Sequence, residues 1–197
     1  MSTPRTAQVT RETKETQIAL TLCVDGTGDA DIHTGLGFLD HMLTALTRHA
    51  RFDVVLTCKG DLHIDDHHTV EDCAIVFGQA LREALGDRRG IRRFGHAIAP
   101  LDEALVRTVV DLSGRPWPEI HIGFTRERLG DVATENLTHF LESLAMSGAM
   151  NLHVDTLRGR NDHHKAEAAF KATALALRHA VARDGSDGVP STKGVLA

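Results

Sequence analysis

Aromatic residues are scarce: 197 positions hold no tyrosine, one tryptophan and seven phenylalanines. Surfaces that bind nucleic acid by stacking bases need such rings, and a formal net charge of −5 exerts no general pull on a phosphate backbone. Nucleic acid is therefore not an expected partner, and any anion site must be local. Cysteine is also rare. Cys23, Cys58 and Cys73 are odd in number, share no CxxC spacing and sit in apolar runs, the pattern of small buried thiols in a reducing, cytoplasmic setting. No run approaches the ~20 apolar residues of a membrane span. The alanine-rich stretch 166–182 is interrupted by Lys171 and Arg178 and reads as an amphipathic helix, and the opening residues are polar, without the apolar stretch of a secretion signal. With 42% hydrophobic residues, the chain has enough apolar material for one sizeable domain or two small, intimately packed halves.

The residue in excess is histidine, with 13 copies. Several of them fall in a pattern that occurs twice. Both 62–81 and 152–177 contain Leu-His-(Ile/Val)-Asp, then Asp-His-His-x-x-Glu, then a run of helix formers. Upstream, His41-Met42-Leu43 is echoed by His139-Phe140-Leu141, and the turn-like Val24–Gly28 by Val110–Gly114. Two pseudo-symmetric halves are expected, 1–92 and 93–197, joined near the basic segment 86–95. Alternating stretches at 17–24 and 104–112 read as strands. Helices follow at 39–49 and 135–146, further strands at 53–58 and 150–155, and long helices at 67–85 and 163–183, with Asp66 and Asp162 in the position of N-caps. An α/β (α+β) layered fold follows, because duplicated units with apolar faces must bury them against each other.

On a helix, residues i and i+4 share a face. His67 with Glu71, and His163 with Glu167, can thus each reach one cation, whereas His68 and His164 point about 100° away. The expected arrangement is reciprocal: one ion takes His67, Glu71 and His164, its twin takes His163, Glu167 and His68, and His41 and His139 supply the fourth ligands. Four protein ligands leave room for water or substrate on an octahedral ion, which marks a catalytic site. Imidazole with carboxylate and no thiolate suits Mn, Fe, Co, Ni or Zn alike. His63 and His153 stand open between supporting and structural roles. Arg88, Arg89, Arg92 and Arg93, Arg115 on its turn, and Ser191 with Lys193 beyond a glycine-rich linker together offer the groups for one phosphate, although each read alone is a solvated turn or a loose terminus.

These residues resemble the imidazoleglycerol-phosphate dehydratase family. The likeness rests on Gly37–Leu43, Gly60–Asp72, Ala99–Ala104, Asp111–Pro116 and Ser191–Leu196, in the family's order, from about Lys14 onward. The resemblance implies halves each built as a four-stranded sheet backed by helices. It implies dehydration of D-erythro-imidazole-glycerol phosphate to imidazole-acetol phosphate in histidine biosynthesis, two manganese ions per site, and a large assembly of identical chains, typically a 24-mer, with sites at subunit interfaces. By matching motif, the ligands are His41, His67, His68, Glu71, His139, His163, His164 and Glu167, the substrate and phosphate contacts are Arg93, Arg115, Lys171, Ser191 and Lys193, and Glu15 is the acid/base. The bond to be broken is not beside a carbonyl, so the imidazole ring must take up the charge, metal at its nitrogens stabilising it while Glu15 takes the proton. Two rivals remain: a two-metal phosphoesterase, which would use dispersed aspartates in an unduplicated half, and a non-catalytic protein whose metal staples subunits.

Overall fold

The computed structural model describes residues 3–196. The first part of the chain forms β1 (Thr6–Glu12), β2 (Thr16–Cys23), β3 (Ala30–His33), α1 (Gly37–Ala50), β4 (Asp53–Gly60) and α2 (His67–Leu85). The second forms β5 (Phe94–Leu101), β6 (Ala104–Asp111), β7 (Trp117–His121), the short pair β8 (Arg128–Leu129) and β9 (Val132–Ala133), then α3 (Thr134–Ser147), β10 (Asn151–Arg158) and α4 (Asp162–Val181). Two four-stranded sheets result, ordered β1-β2-β4-β3 and β5-β6-β10-β7. In each, the first three strands are antiparallel and the last runs parallel to its neighbour. The expected α/β class and pair of four-stranded sheets are thus what the chain builds.

Strand alternation explains which face is covered. In the first sheet Leu20 pairs with Val9 on one side and Leu56 on the other, and these three, with Ile18, Leu22 and Val54, are buried. Their neighbours Ala19, Val55 and Thr57 face outward. Each buried leucine contributes about 2 kcal/mol relative to exposure. Helices cover the inner faces: α2 lies on β1 and β2, α4 on β5 and β6, and the helices then pair across the two sheets, α1 with α4 and α2 with α3. This cross-pairing decides where the site forms. The approach of α2 to α3 is close because residue 78 is glycine; a Cβ there would run into the Ser147 hydroxyl and the Gly148 amide. On α4, buried alanines at 166, 168, 169, 172, 174 and 176 permit the same close packing. Among the described residues, no helix is long and apolar enough to cross a membrane.

Three sequence-based expectations need correction. The Asp66 side chain does not cap α2, and α4 is capped by Asn161, whose side chain accepts from the His163 amide. Asp66 and Asp162 instead point into the protein and fasten the segment between β7 and α3. Asp66 accepts from the Ala133 amide and Asn136 Nδ2, and Asp162 from the Thr125 and Arg126 amides, at 2.7 to 2.9 Å. Second, Arg88 is not part of a solvated turn. It is buried, donating to the carbonyls of Leu112, Gly148 and Ala149, so it tethers the junction between the two sheets to the end of α3. Third, only Cys73 is buried; Cys23 and Cys58 are partly exposed, and all three are free.

Asp162 is paired with the nearly buried ammonium of Lys165 at 2.7 Å. Burial pushes its carboxyl up, but Lys165 and the two amides outweigh this and hold it below the ordinary range. A depressed carboxyl stabilises the fold at all pH values above its unfolded pKa near 3.9, and the contribution is lost as pH falls through the folded value. Asp162→Ala would leave Lys165 buried without its counter-charge, and is expected to cost about 3–5 kcal/mol. The measurement is the denaturant midpoint of the metal-free protein at constant slope; an unshifted midpoint would contradict the assignment.

Candidate metal centre

Helix pairing brings together two groups of three side chains. His41 of α1 meets His163 and Glu167 of α4, and His139 of α3 meets His67 and Glu71 of α2; in each group the three donor atoms lie within 4.8 Å of one another. In the first, Glu167 Oε2 is 3.1 Å from His41 Nε2 and 3.4 Å from His163 Nε2. In the second, the Glu71 carboxylate is 3.1 Å from His139 Nε2 and 3.8 Å from His67 Nε2. The i, i+4 reading of each His/Glu pair holds in space, and α1 and α3 close the groups.

Surrounding contacts aim these donors. Asn136 donates its amide to Asp66 at 2.9 Å, which leaves its carbonyl to accept from His67 Nδ1 at 3.0 Å. His67 is thereby protonated on Nδ1, with the Nε2 lone pair free toward Glu71, the usual preparation of a ligating imidazole. His41 is placed through the start of α1, where the Gly37 and Phe38 amides donate to Asp131 at 2.6 and 3.1 Å, and Asp40 accepts from the Thr34 amide and hydroxyl. Phe38 lies edge-on to His163, with ring centres 5.3 Å apart. Burial pushes the Glu167 carboxyl up, but Lys171 Nζ at 2.6 Å and His41 outweigh it and bring it down to about 2. The group is ionised at neutral pH.

The reciprocal exchange of histidines between α2 and α4 is not made within the chain. His68 and His164 lie at 77° and 89° to the rings of their neighbours and face away from both groups. His68 Nδ1 is 3.1 Å from Asp61 and its Nε2 is 3.8 Å from Glu15. His164 Nδ1 is 2.7 Å from Glu103 and its Nε2 is 3.7 Å from Asp102. The cause is the turn of the helix together with the pairing: α2 faces α3 and α4 faces α1, so the imidazole nearest each His/Glu pair comes from the packed helix. Asp61 raises the pKa of His68, and Glu103 that of His164. His164, together with the Asn161 and Arg160 amides, holds Glu103 at about 2.

A family model for imidazoleglycerol-phosphate dehydratase matches residues 34–177. The imidazoleglycerol-phosphate dehydratase of Candida glabrata is 55% identical over 209 residues, covering 97% of this chain and all of the relative. That of Phytophthora nicotianae is 58% identical over 193 residues, 98% of this chain, which spans 43% of the longer relative. The crystal structure of IGPD from Pyrococcus furiosus in complex with (S)-C348 superposes with a TM-score of 0.83 at 39% identity, over 95% of this chain and all of the other.

This chain belongs to the imidazoleglycerol-phosphate dehydratase family.

The remaining residues carried over from the dehydratase resemblance fall in several places. Glu15 sits on the β1–β2 hairpin beside His68, its side chain about half exposed. Lys171 lies one turn beyond Glu167, at the first group. Arg93 grips Asp111 through Nε and Nη2 and donates from Nη1 to the Pro190 carbonyl, so it meets the tail one residue before Ser191. The glycine-rich segment is held along the inter-sheet turn, Gly90 donating to Gly188 and Asp184 to Gly90; it is not the free linker its composition predicts. Lys193 donates its amide to the Ser191 hydroxyl, and its side chain is exposed. Arg115 is exposed on its turn, its carbonyl held by Asn151. His63 and His153 are exposed. Sequence reading missed Asp61, Asn136, Asp131 and Glu103. Asp61 and Glu103 stand in quoted motifs, seven residues before His68 and on the β5–β6 turn, but a role for them needs the fold.

Proposed function

We propose that this chain removes water from D-erythro-imidazole-glycerol phosphate to give imidazole-acetol phosphate, a step of histidine biosynthesis in the cytoplasm, with one manganese ion in each of its two His-His-Glu groups. The observation that carries this reading is the pairing itself: two separate groups of donors, each two imidazoles and one carboxylate, converging within 4.8 Å. The residues fit such ions. The donors are nitrogen and oxygen with no thiolate, a set that accommodates manganese, and His67 is already held in the tautomer a ligand needs.

Three donors per group leave each coordination shell open. His68 and His164, turned away from their own chain's groups, are the natural fourth ligands for groups of neighbouring copies. The site is then shared between subunits of a large assembly, a 24-mer by the family's pattern. Bound there, the ions supply Lewis acidity at the nitrogens of the substrate's imidazole, where the charge from C–H cleavage must go. The chain's own groups do the rest. Glu15, half exposed beside His68, takes the proton from carbon, the ring's electrons expel the hydroxyl on the carbon beside the ring, and proton and hydroxyl are lost together as water. Arg93, Arg115, Lys171, Ser191 and Lys193 hold the phosphate, Lys171 moving its charge from Glu167 to the ligand. Phe38 packs edge-on against His41 and His163 at the rim of the first group.

The test is titration of chelator-treated protein with manganese while following imidazole-glycerol phosphate. Two ions per chain and water loss that returns with the metal are expected. Release of inorganic phosphate in place of water loss, or turnover undiminished without metal, would overturn the reading.

A further inference from the structure

One buried charge has no part in the chemistry described so far. Asp72 is 5% exposed in the second turn of α2, next to Glu71. A carboxylate in that environment is costly unless fully partnered, and a small apolar residue would pack there. Aligning His67-His68-x-x-Glu71 with His163-His164-x-x-Glu167 places Ala168, fully buried, at the matching position of α4. The first half therefore keeps an aspartate where the second does without one.

The partners of Asp72 lie on either side of one hairpin turn. Its Oδ2 accepts from the Thr16 hydroxyl at 2.5 Å and its Oδ1 from Arg11 Nε at 2.9 Å. Arg11 is near the end of β1 and Thr16 begins β2, so the turn between them carries Glu15. The turn is closed on itself: Thr13 Oγ1 accepts from the Glu15 amide at 3.1 Å and the Thr16 amide at 3.0 Å, and the Thr13 amide donates to the Thr16 carbonyl at 2.9 Å. Asp72 also stands one helical turn beyond His68, on the same face. That face looks onto the hairpin, while the His67 and Glu71 face looks onto α3.

We propose that Asp72 is a positioning residue, holding the Glu15 hairpin in register with α2 through the buried Thr16 hydroxyl. This rests on Glu15 being the acid/base. The second half shows the alternative. There the β5–β6 turn is docked by Glu103 itself, which accepts from the Arg160 and Asn161 amides and contacts His164. A carboxylate spent on docking is not free to move a proton. In the first half the docking falls to Asp72, and the carboxylate at the tip takes no docking hydrogen bond among the described residues, standing 3.8 Å from His68 Nε2.

Thr16→Val removes the hydroxyl and keeps the shape; Thr16→Ser keeps the hydroxyl. In the assembled manganese enzyme, Thr16→Val and Asp72→Asn are expected to lower kcat by about 10- to 100-fold, the effect of misplacing a reacting group by about 1 Å, with KM and metal content unchanged. Thr16→Ser should restore kcat. In a Glu15→Gln background Thr16→Val should cost nothing further, because the group it positions is already inert. Full turnover in Thr16→Val, or the same loss with and without Glu15, would overturn the positioning role. Full turnover in Glu15→Gln alone would overturn it through its premise, and that result is read without any change at Thr16 or Asp72.

Discussion

A chain carrying Glu71→Gln and a chain carrying His164→Asn should each be inactive alone and should recover turnover when assembled together. Glu71 is a member of the group with His67 and His139, so its loss leaves two imidazoles without the anion that balances a divalent cation. Lewis acidity at the substrate ring is worth several kcal/mol, and each ~1.4 kcal/mol is tenfold in rate, so turnover should fall by roughly 10³-fold or more. His164 belongs to neither group of its own chain and contacts Glu103 and Asp102. If it acted only there, its loss would leave the Glu71 group untouched, because Glu103 keeps its bonds to the Arg160 and Asn161 amides. If it serves a neighbouring copy, its loss leaves every group of the second kind short by one ligand. Mixed assemblies then contain junctions where an intact Glu71 from one chain meets an intact His164 from the other, and those junctions should turn over. The experiment is to strip metal, mix, restore manganese and assay. Co-assembled chains that stay inactive, with both variants present by mass, would show that the sites are not shared in this way.

The prediction depends on a feature that the sequence showed only in part. The i, i+4 spacing fixed which donors share a helix face, because that depends on local geometry alone. It did not fix which helix stands opposite. Reading the duplicated motif as a mutual pair of helices implies an exchange between α2 and α4. Within one chain, close packing at Gly78 sets α2 against α3 and the buried alanines of α4 set it against α1, so that exchange is not made inside a single copy. Central strands were legible for a similar reason. β2, β4, β6 and β10 carry clear alternation and a buried face, whereas β3 and β7 are short edge strands whose pairing is long-range and leaves little periodicity. Asp66 and Asp162 look like caps because they precede a helix, and only the fold shows that the segment before α3 needs their carboxylates more. Arg88 presents the same difficulty: in sequence it is one of four arginines near a turn, and only burial against three carbonyls separates it from Arg89 and Arg92.

Glu15→Gln should lower kcat by about 10²–10⁴-fold, the usual contribution of a positioned proton-transfer group, while manganese content stays at two ions per chain. The amide keeps the shape and hydrogen-bonding reach of the carboxylate and loses only the ability to take a proton. Glu15 lies outside both three-donor groups, so ion binding has no reason to change. KM should also hold, because the residues proposed to hold the phosphate lie on other elements. Glu15→Asp serves as a second reading: it keeps the charge and draws it back by one methylene, so a residue that acts by proton transfer across a set distance should lose part of the rate, and one that acts only as a charge should lose little. Two outcomes would speak against the role. Undiminished kcat in Glu15→Gln would remove Glu15 from the chemistry. Loss of manganese in step with loss of rate would mean instead that the carboxylate works through His68, 3.8 Å away, by holding that imidazole ready for the ion it serves.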